Sequence, residues 1–244
     1  MKRLAMLISG GGTTMAAILE ACKGGGSLHG LIEPALVIAS RPDIRGIARA
    51  KEAGLTENQV QVCIPRSFPS YQDFGFFLLC HLQNWSVDLV GQYGWLPKTP
   101  VNVIETYKGR IINQHPGPLD TGRLDFGGEG MYGRRVHCAR LYFARQSGLP
   151  RDQFTEATAH LVTEAFDQGG VIAHKRIPIL PSDDVITLQE RVLPVEHQLQ
   201  IETLELLATC AVQPIARLEP LVLTGMEGLL EESKRVAGLL FPNG

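Results

Sequence analysis

The chain has 244 residues, of which 44% are hydrophobic, and its formal net charge is -2. This composition predicts a globular fold with a sizeable core and excludes a disordered chain, and the mixed charges lack the basic footprint of a nucleic-acid binder. The apolar N-terminal run is too short for a signal peptide, and the sequence predicts no membrane-spanning segment. Five scattered cysteines without a C-x-x-C pattern indicate thiols in a reducing cytoplasm.

Apolar runs and amphipathic runs alternate through the first half of the chain, with glycines and prolines between them. Short apolar runs predict strands, and apolar residues at helical spacing predict helices. This alternation predicts an α/β fold with a doubly wound, mostly parallel sheet. The predicted strands cover residues 4–9, 35–39, 60–64 and 87–90 and a fifth after residue 109, and the predicted helices cover residues 15–22, 44–53, 71–85 and 101–107.

The first strand ends in Ser9-Gly10-Gly11-Gly12-Thr13-Thr14, and the first helix follows at once. In that position, bare backbone N–H groups and the helix dipole converge on one point, which favours an anion such as a phosphate. The turn is not a Walker loop, because no Gly-Lys-Ser/Thr follows, and it is not a clean dinucleotide fingerprint, because Met15 occupies the third glycine position. A phosphate site and a merely tight turn both fit this pattern.

The stretch from residue 111 to residue 118 starts as an apolar strand and ends in Pro-Gly-Pro, which continues neither a strand nor a helix. Asn113 and His115 stand two residues apart in it, so their side chains face the same side of the strand. An amide donor beside an imidazole suits acyl transfer, which needs one group for the developing oxyanion and one for the proton. The alternative is a strand end whose histidine caps a turn.

The second half of the chain begins with a loop rich in glycine and aspartate over residues 119–130. A helix is predicted over residues 131–146, with its arginines on a solvated face: Arg134, Arg135, Arg140 and Arg145. After a second loop, strands over residues 157–163 and 171–180 form a predicted hairpin whose turn carries Asp167. A long helix that Pro194 kinks, a short strand over residues 218–223 and a last helix complete the predicted elements.

The ordered set of the glycine turn, Asn113-x-His115-Pro116, His160 and Asp167-x-Gly169-Gly170 resembles the phosphoribosylglycinamide formyltransferase family of folate-dependent enzymes. Asn-x-His-Pro followed by an Asp-x-Gly-Gly motif is the formyltransferase signature. The resemblance covers roughly residues 3–210 and implies a Rossmann-like formyltransferase fold with an antiparallel C-terminal extension. It implies one domain over residues 1–244, with a phosphate-binding half at about 1–115 and a folate-side half at about 116–244.

The resemblance also implies roles for individual residues. Asn113 would donate to the formyl oxygen, His115 would stabilise charge or move a proton, and Asp167 would position His115 or a water. His160 matches a family histidine near the centre, and a purely structural histidine within the core is an equal alternative. Glu196 would contact the ribose hydroxyls. The substrate phosphate would be bound by Gly11, Gly12, Thr13 and Thr14, and the folate would be lined by Tyr93, Gly94, Trp95, Leu96, Pro97 and Phe166.

The chain departs from the family pattern in several places. Pro97 stands where bacterial relatives carry arginine, and Gln114 and Gly117 replace a small apolar residue and serine. The segment over residues 119–153 is longer than in the typical enzyme, and its place after the candidate catalytic histidine suggests a lid. The remaining histidines show no ligand spacing, so the sequence predicts no metal.

The expected activity is transfer of a formyl group from 10-formyltetrahydrofolate, a co-substrate, to the amine of 5-phosphoribosylglycinamide in purine synthesis. The alternatives are a formyltransferase for another amine, such as an amino sugar nucleotide or methionyl-tRNA, and a formyltetrahydrofolate hydrolase. The expected partners are small-molecule substrates, without nucleic acid or membrane, for a cytoplasmic monomer or homodimer.

Overall fold

The computed structural model describes residues 1–210 and 212–244. The chain divides into two compact units, which we call the N-terminal unit (Met1–Gln114 and Gln200–Val212) and the C-terminal unit (His115–Leu199 and Gln213–Gly244). The strands are β1 Lys2–Ile8, β2 Ile32–Ala39, β3 Val60–Val62, β4 Leu89–Gln92, β5 Ile111–His115, β6 Phe154–Leu161 and β7 Val171–Pro178. The α-helices are α1 Thr13–Ala21, α2 Arg45–Glu52, α3 Tyr71–Asn84, α4 Val101–Thr106, α5 Arg134–Ser147, α6 Val185–Thr209 and α7 Glu227–Leu240.

The strands form one sheet in the order β3-β2-β1-β4-β5-β6-β7. The first five pair in parallel, and β6 and β7 pair antiparallel as the predicted hairpin. In the middle of this order, residues 4–8 of β1 are fully buried, as expected for a parallel strand covered on both faces. The predicted α/β class, with a mostly parallel sheet and an antiparallel extension toward the C-terminus, is confirmed.

The solvated face predicted for the arginines of α5 is wrong for Arg140, which is 2% exposed. Its guanidinium donates to the carbonyl oxygens of Asp152 at 2.7 Å and Phe154 at 3.1 Å. It also lies 4.3 Å from the ring centroid of Phe126, within cation–π range. Burial lowers the pKa of Arg140 to about 10, so the side chain stays charged at neutral pH. Carbonyl oxygens and aromatic faces replace the water that the sequence pattern led us to expect.

The short strand predicted over residues 218–223 is also wrong, because these residues are not in a strand. Pro220 has no backbone N–H, and the N–H of Leu221 donates to Asp120 Oδ2 at 3.1 Å instead of to a neighbouring strand. Leu221 and Val222 are buried in a cluster with residues of α5 and α7. Leu218 is exposed, so the apolar pattern indicates burial only at Leu221 and Val222, and the carboxylate of Asp120 takes the place of a sheet partner.

The segment over residues 119–133, α5 and α7 share this apolar cluster in the C-terminal unit. Its buried members include Phe126, Val136, Phe143 and Leu230. The rings of Phe126 and Phe143 pack edge to face, with centroids 5.2 Å apart. No helix of the described residues has the length and apolar character to cross a bilayer.

Candidate active site

Asp167 lies between two histidine side chains in the C-terminal unit. Its Oδ2 atom is 3.5 Å from His115 Nδ1, and its Oδ1 atom is 3.5 Å from His160 Nε2. The side chains of His115 and His160 are each 2% exposed, and that of Asp167 is 9% exposed. The structure therefore brings three of the predicted site residues together from the end of β5, the end of β6 and the turn before β7.

The turn that carries Asp167 depends on backbone conformations that few residues adopt. Asp167 itself has a φ of +57°, in the left-handed region that aspartate tolerates better than most residues. A Cβ atom on Gly169 would lie 1.7 Å from the carbonyl oxygen of Leu161. The Asp-x-Gly pattern thus has a local physical cause, because the chain can pass this close to the end of β6 only at a glycine.

Asp167 is further held by the loop that follows β5. The N–H of Gly128 donates to Asp167 Oδ2 at 2.9 Å. A Cβ atom on Gly127 would lie 2.7 Å from Asp167 Cβ and 2.5 Å from Leu119 Cδ2, so the backbone packs directly against the aspartate. On the other side, His115 Nε2 lies 3.3 Å from the carbonyl oxygen of Phe126. Residues 126–128 therefore contact both His115 and Asp167.

In both Asp167 and His115, burial favours the neutral form of the side chain, whereas the opposite charge of the neighbouring group favours the charged form. Burial alone would raise the pKa of Asp167, but His115, His160 and the Gly128 N–H outweigh it and lower that pKa to about 2. Burial lowers the pKa of His115 below its usual 6.5, although Asp167 and Asp125 act in the opposite sense. At neutral pH the arrangement is an ionised carboxylate beside a neutral imidazole, which can accept a proton.

Two further histidines differ in their surroundings. His160 Nδ1 lies 2.8 Å from the carbonyl oxygen of Leu161, which fixes the ring while Nε2 faces Asp167. His137 in α5 is 1% exposed, and burial together with the nearby His115 lowers its pKa to about 4. His137 is thus a neutral neighbour of the cluster that the sequence pattern did not single out. Within residues 1–210 and 212–244, no group of three or more His, Cys, Asp or Glu could hold a metal ion.

Asn113, the predicted oxyanion donor, lies on β5 two residues before His115. Its neighbour across the parallel pair is Gln92 of β4. Gly117, which replaces the family serine, follows on the other side of the histidine, and a Cβ atom there would lie 2.4 Å from Val136 Cγ1. Since Val136 belongs to α5, that helix explains why this chain has glycine at the position.

The glycine turn of the N-terminal unit lies between β1 and α1. Gly12 is the N-cap of α1 with a φ of +67°, and a Cβ atom on it would lie 2.9 Å from the Cα atom of Gly46. Gly11 is exposed, Thr13 is half-buried, and Thr14 is 4% exposed. The turn therefore presents backbone N–H groups at a helix N-terminus that has no acidic residue in its first turn, which favours an anion.

The predicted folate loop is joined to this turn within the N-terminal unit. Ser9 N–H donates to Gly94 O at 3.0 Å, and Leu96 N–H donates to Ser9 Oγ at 3.0 Å. Tyr93 and Trp95 are buried, and neither Tyr93 Oη nor Trp95 Nε1 has a hydrogen-bond partner among the described residues. Leu96 is exposed and Pro97 half-buried, so the loop combines a buried aromatic base with an accessible apolar edge.

The other predicted ligand contacts lie in the C-terminal unit. Phe166 is exposed and directly precedes Asp167, whereas Glu196 on α6 is buried. Sequence reasoning missed Asp125, residues 126–128 and Lys234, which surround Asp167 and His115. The Gly127-Gly128 pair, nine residues after the Pro-Gly-Pro stretch, was the one local signal that the backbone comes close to another group there.

The parts of the predicted lid over residues 119–153 differ in burial. Asp125, Phe126 and Gly127 are buried, and α5 is packed into the apolar cluster of the C-terminal unit. These buried residues are packed beside His115 and Asp167 and do not form a loop that is free to open. Residues 121–124 and Glu129 are exposed, and they retain the surface position expected of a lid within the loop.

The chain is similar to several known formyltransferases. A chloroplastic phosphoribosylglycinamide formyltransferase of Vigna unguiculata is 33% identical over 207 residues, which are 84% of this chain and 61% of that protein. The chain thus spans less than two thirds of the plant relative. A phosphoribosylglycinamide formyltransferase of Haemophilus influenzae is 27% identical over 199 residues, 82% of this chain and 84% of the relative.

A crystal structure of glycinamide ribonucleotide transformylase 1 from Symbiobacterium toebii superposes with a TM-score of 0.70 at 29% identity, covering 88% of this chain and 94% of that one. The family model described as formyl transferase matches residues 2–121 and 144–204, well over half of the chain. These two ranges contain the glycine turn, Asn113, His115, His160 and Asp167. The chain therefore belongs to the formyl transferase family.

Proposed function

We propose that this protein transfers the formyl group of 10-formyltetrahydrofolate to the amine of 5-phosphoribosylglycinamide. The observation that carries the proposal is the buried Asp167 carboxylate between the imidazoles of His115 and His160. His115 lies at the end of β5, the strand that also carries Asn113. The relatives named as phosphoribosylglycinamide formyltransferases support the choice of amine. The family supports a folate-derived formyl donor.

In the proposed reaction, the neutral amine attacks the formyl carbon and a C–N bond forms. The formyl oxygen becomes an oxyanion, to which the amide of Asn113 donates a hydrogen bond. His115 lies beside the same centre and stabilises charge or moves a proton, since its lowered pKa keeps it neutral and able to accept one. Asp167 positions His115 or a water and helps to remove the proton of the attacking amine. The bond from carbon to N10 then breaks, and N10 takes up a proton.

The binding roles follow the same proposal. Gly11, Gly12, Thr13 and Thr14 bind the substrate phosphate through backbone N–H groups and hydroxyls. Glu196 accepts hydrogen bonds from the ribose hydroxyls. The residues that line the folate are Tyr93, Gly94, Trp95, Leu96, Pro97 and Phe166.

The deciding experiment measures formyl transfer at steady state, with 10-formyltetrahydrofolate as donor and with 5-phosphoribosylglycinamide, other amines or water as acceptor. We expect 5-phosphoribosylglycinamide to have the highest kcat/KM. Formylation of a different amine with higher kcat/KM, or release of formate without an amine product, would refute the proposal and indicate another transferase or a hydrolase.

The role of Asn113 has its own test. Asn113→Ala removes the oxyanion donor, and such a loss typically lowers kcat by about 10²–10³-fold. Asn58→Ala, at an exposed position of the same unit, is the control and should retain full activity. Full activity of Asn113→Ala, with an unchanged circular dichroism spectrum, would exclude Asn113 as the donor.

A further inference from the structure

Lys234 reaches from α7 to the loop beside the candidate catalytic pair. Its Nζ atom donates to the carbonyl oxygen of Gly127 at 2.7 Å. α7 lies after the last residue matched by the family model, and Gly127 lies in the range between the two matches. The contact is therefore formed by two parts of the chain that the family model leaves out.

Residues 126–128 connect this lysine to both His115 and Asp167. The carbonyl oxygen of Phe126 lies 3.3 Å from His115 Nε2, and the N–H of Gly128 donates to Asp167 Oδ2 at 2.9 Å. Lys234 holds the residue between them. Because Gly127 packs with its Cα against Leu119 and Asp167, a shift of this backbone moves a hydrogen-bond partner of each catalytic candidate.

The charge of Lys234 also bears on the same cluster. Its ammonium group interacts with the carboxylates of Asp125 and Asp167, and burial lowers the pKa of the lysine despite both of them. Asp125 in turn accepts from the N–H groups of Asp120 at 2.8 Å and Gly127 at 2.9 Å. Burial raises the pKa of Asp125, and Lys234 is one of the groups that oppose this rise. Lys234 thus compensates two carboxylates that face His115.

Other cations near Lys234 have different partners. A cavity of about 400 Å³ lies beside the loop, and its lining includes the charged side chains of Glu129, Arg135, Lys234 and Arg235. Arg135 donates to the carbonyl oxygens of Gly130, Phe241 and Pro242, which ties the loop to the C-terminus. Arg235 is exposed and pairs with Glu232 one helical turn away. The contacts of these two arginines lie at the surface of the unit. Lys234, by contrast, contacts Gly127, whose neighbours in sequence contact His115 and Asp167.

We propose that Lys234 is a positioning residue for the His115–Asp167 pair: its ammonium group fixes residues 126–128 against both side chains and balances the charges of Asp125 and Asp167. The consequence for catalysis rests on the proposed formyl transfer. The consequence for the protonation of His115 does not, because it depends only on the folded structure.

The first test compares Lys234→Met, Lys234→Arg and Arg235→Met by histidine NMR titration of the folded protein. Lys234→Met keeps the length of the side chain but removes its charge, leaving Asp125 and Asp167 less compensated. We expect the pKa of His115 to rise by roughly 0.5 in this variant and to stay unchanged in Lys234→Arg and in the control Arg235→Met. An unchanged His115 pKa in folded Lys234→Met would overturn the proposal, since a purely structural lysine would not affect this titration.

The second test measures formyl transfer by the same variants. We expect Lys234→Met to lower kcat by roughly tenfold to a hundredfold, because catalytic groups moved by small distances lose rate. The KM values should change by less than about twofold, and the acid limb of the pH profile should move to higher pH. Lys234→Arg should restore the position of the acid limb. A loss confined to KM, or an acid limb that does not move, would refute the role.

The two proposals fail separately. If the wild-type protein shows no formyl transfer while His115 still titrates higher in Lys234→Met, the proposed function is wrong and the positioning role remains. If the wild-type protein is active and Lys234→Met is folded, active and unaltered in its His115 titration, the positioning role is wrong and the function remains.

Discussion

The glycine turn of the N-terminal unit and the loop over residues 119–133 of the C-terminal unit both surround candidate ligand or catalytic groups with backbone, but they are built differently. In the turn, Gly12 caps α1 and Ala16 donates back to it at 3.0 Å, so the helix that follows in sequence sets part of the conformation, and Gly46 of α2 adds a donor to the carbonyl oxygen of Gly10 at 3.1 Å. In the loop, the partners come from far along the chain: Asp120 accepts from Leu221, and Gly127 accepts from Lys234.

The difference shows which kind of site a sequence pattern can reveal. Strand, glycines and helix in succession place backbone N–H groups at a helix N-terminus, so the sequence order alone indicates the turn, even though Gly46 and Gly94 also contact it. The loop has no such internal rule, because its shape depends on α5, α7 and the turn of Asp167. The family model follows the same division, since it matches the turn and leaves out residues 122–143.

The largest effect on activity is expected at Asp167, which accepts a hydrogen bond from Gly128 of the loop. Asp167→Asn keeps the shape of the side chain but removes the charge between the two histidines. We expect kcat for formyl transfer to fall by about 10³-fold or more, because general acid–base groups contribute on the order of 10²–10⁴-fold. Glu219→Gln, which changes an exposed carboxylate of the same unit, should retain full activity. An Asp167→Asn enzyme within tenfold of wild type would remove Asp167 from the reaction.

The next effect tests the buried Arg140 of α5, whose guanidinium lies against the Phe126 ring of the loop. Arg140→Met should lower the free energy of unfolding by about 2–4 kcal/mol, because the buried carbonyl oxygens of Asp152 and Phe154 lose their donors and the Phe126 ring loses its cation–π partner. Arg134→Met, on the exposed face of the same helix, should stay within about 0.5 kcal/mol of wild type. Urea denaturation measures both, and equal stabilities would show that Arg140 is dispensable.

The residues of the candidate site also differ in whether the local sequence or a distant contact reveals them. Asn113 and His115 were singled out because alternate residues of a strand face the same side, and Asp167 because its motif resembles that of the family. The structure adds a local cause for the Asp-x-Gly pattern, which is the close approach of Gly169 to Leu161. Most strands and helices were predictable from apolar periodicity.

Arg140 was not predictable, because its aromatic and carbonyl partners are set by tertiary packing and not by the spacing of charges along α5. The strand expected over residues 218–223 failed for a related reason. Leu221 and Val222 of this segment are buried and Leu218 is exposed, and Asp120, about a hundred residues earlier, accepts the hydrogen bond of the Leu221 N–H. Lys234 gave no signal either, since a single lysine on an amphipathic helix is ordinarily solvated.

A smaller effect is expected in the glycine turn. Gly12→Ala places a side chain at a φ of +67° and 2.9 Å from Gly46, which should cost about 1–3 kcal/mol of stability and raise the KM for the phosphorylated substrate. Gly10→Ala is the matched control, because a Cβ atom there meets nothing within 4 Å in the described part of the chain. If Gly12→Ala binds substrate as well as Gly10→Ala, the turn is merely tight and does not bind the phosphate.

The smallest effect is a change in proton affinity. Burial lowers the pKa of His115 below 6.5, and the negative charge of Asp167 opposes this. Between pH 6.5 and the folded pKa, the unfolded chain binds one proton more than the native state, so this histidine makes the protein less stable as the pH falls.

Asp167→Asn should therefore lower the pKa of His115 further, by about one, since an opposite charge that favours the imidazolium is gone. Histidine NMR titration of the folded variant measures this directly, with Glu219→Gln as the control that should leave His115 unchanged. The direction is opposite to that expected for Lys234→Met, which removes a positive charge from the same cluster. If both variants moved the His115 pKa in the same direction, its protonation would be governed by burial, and the charges that the loop assembles around Asp167 would have no part in it.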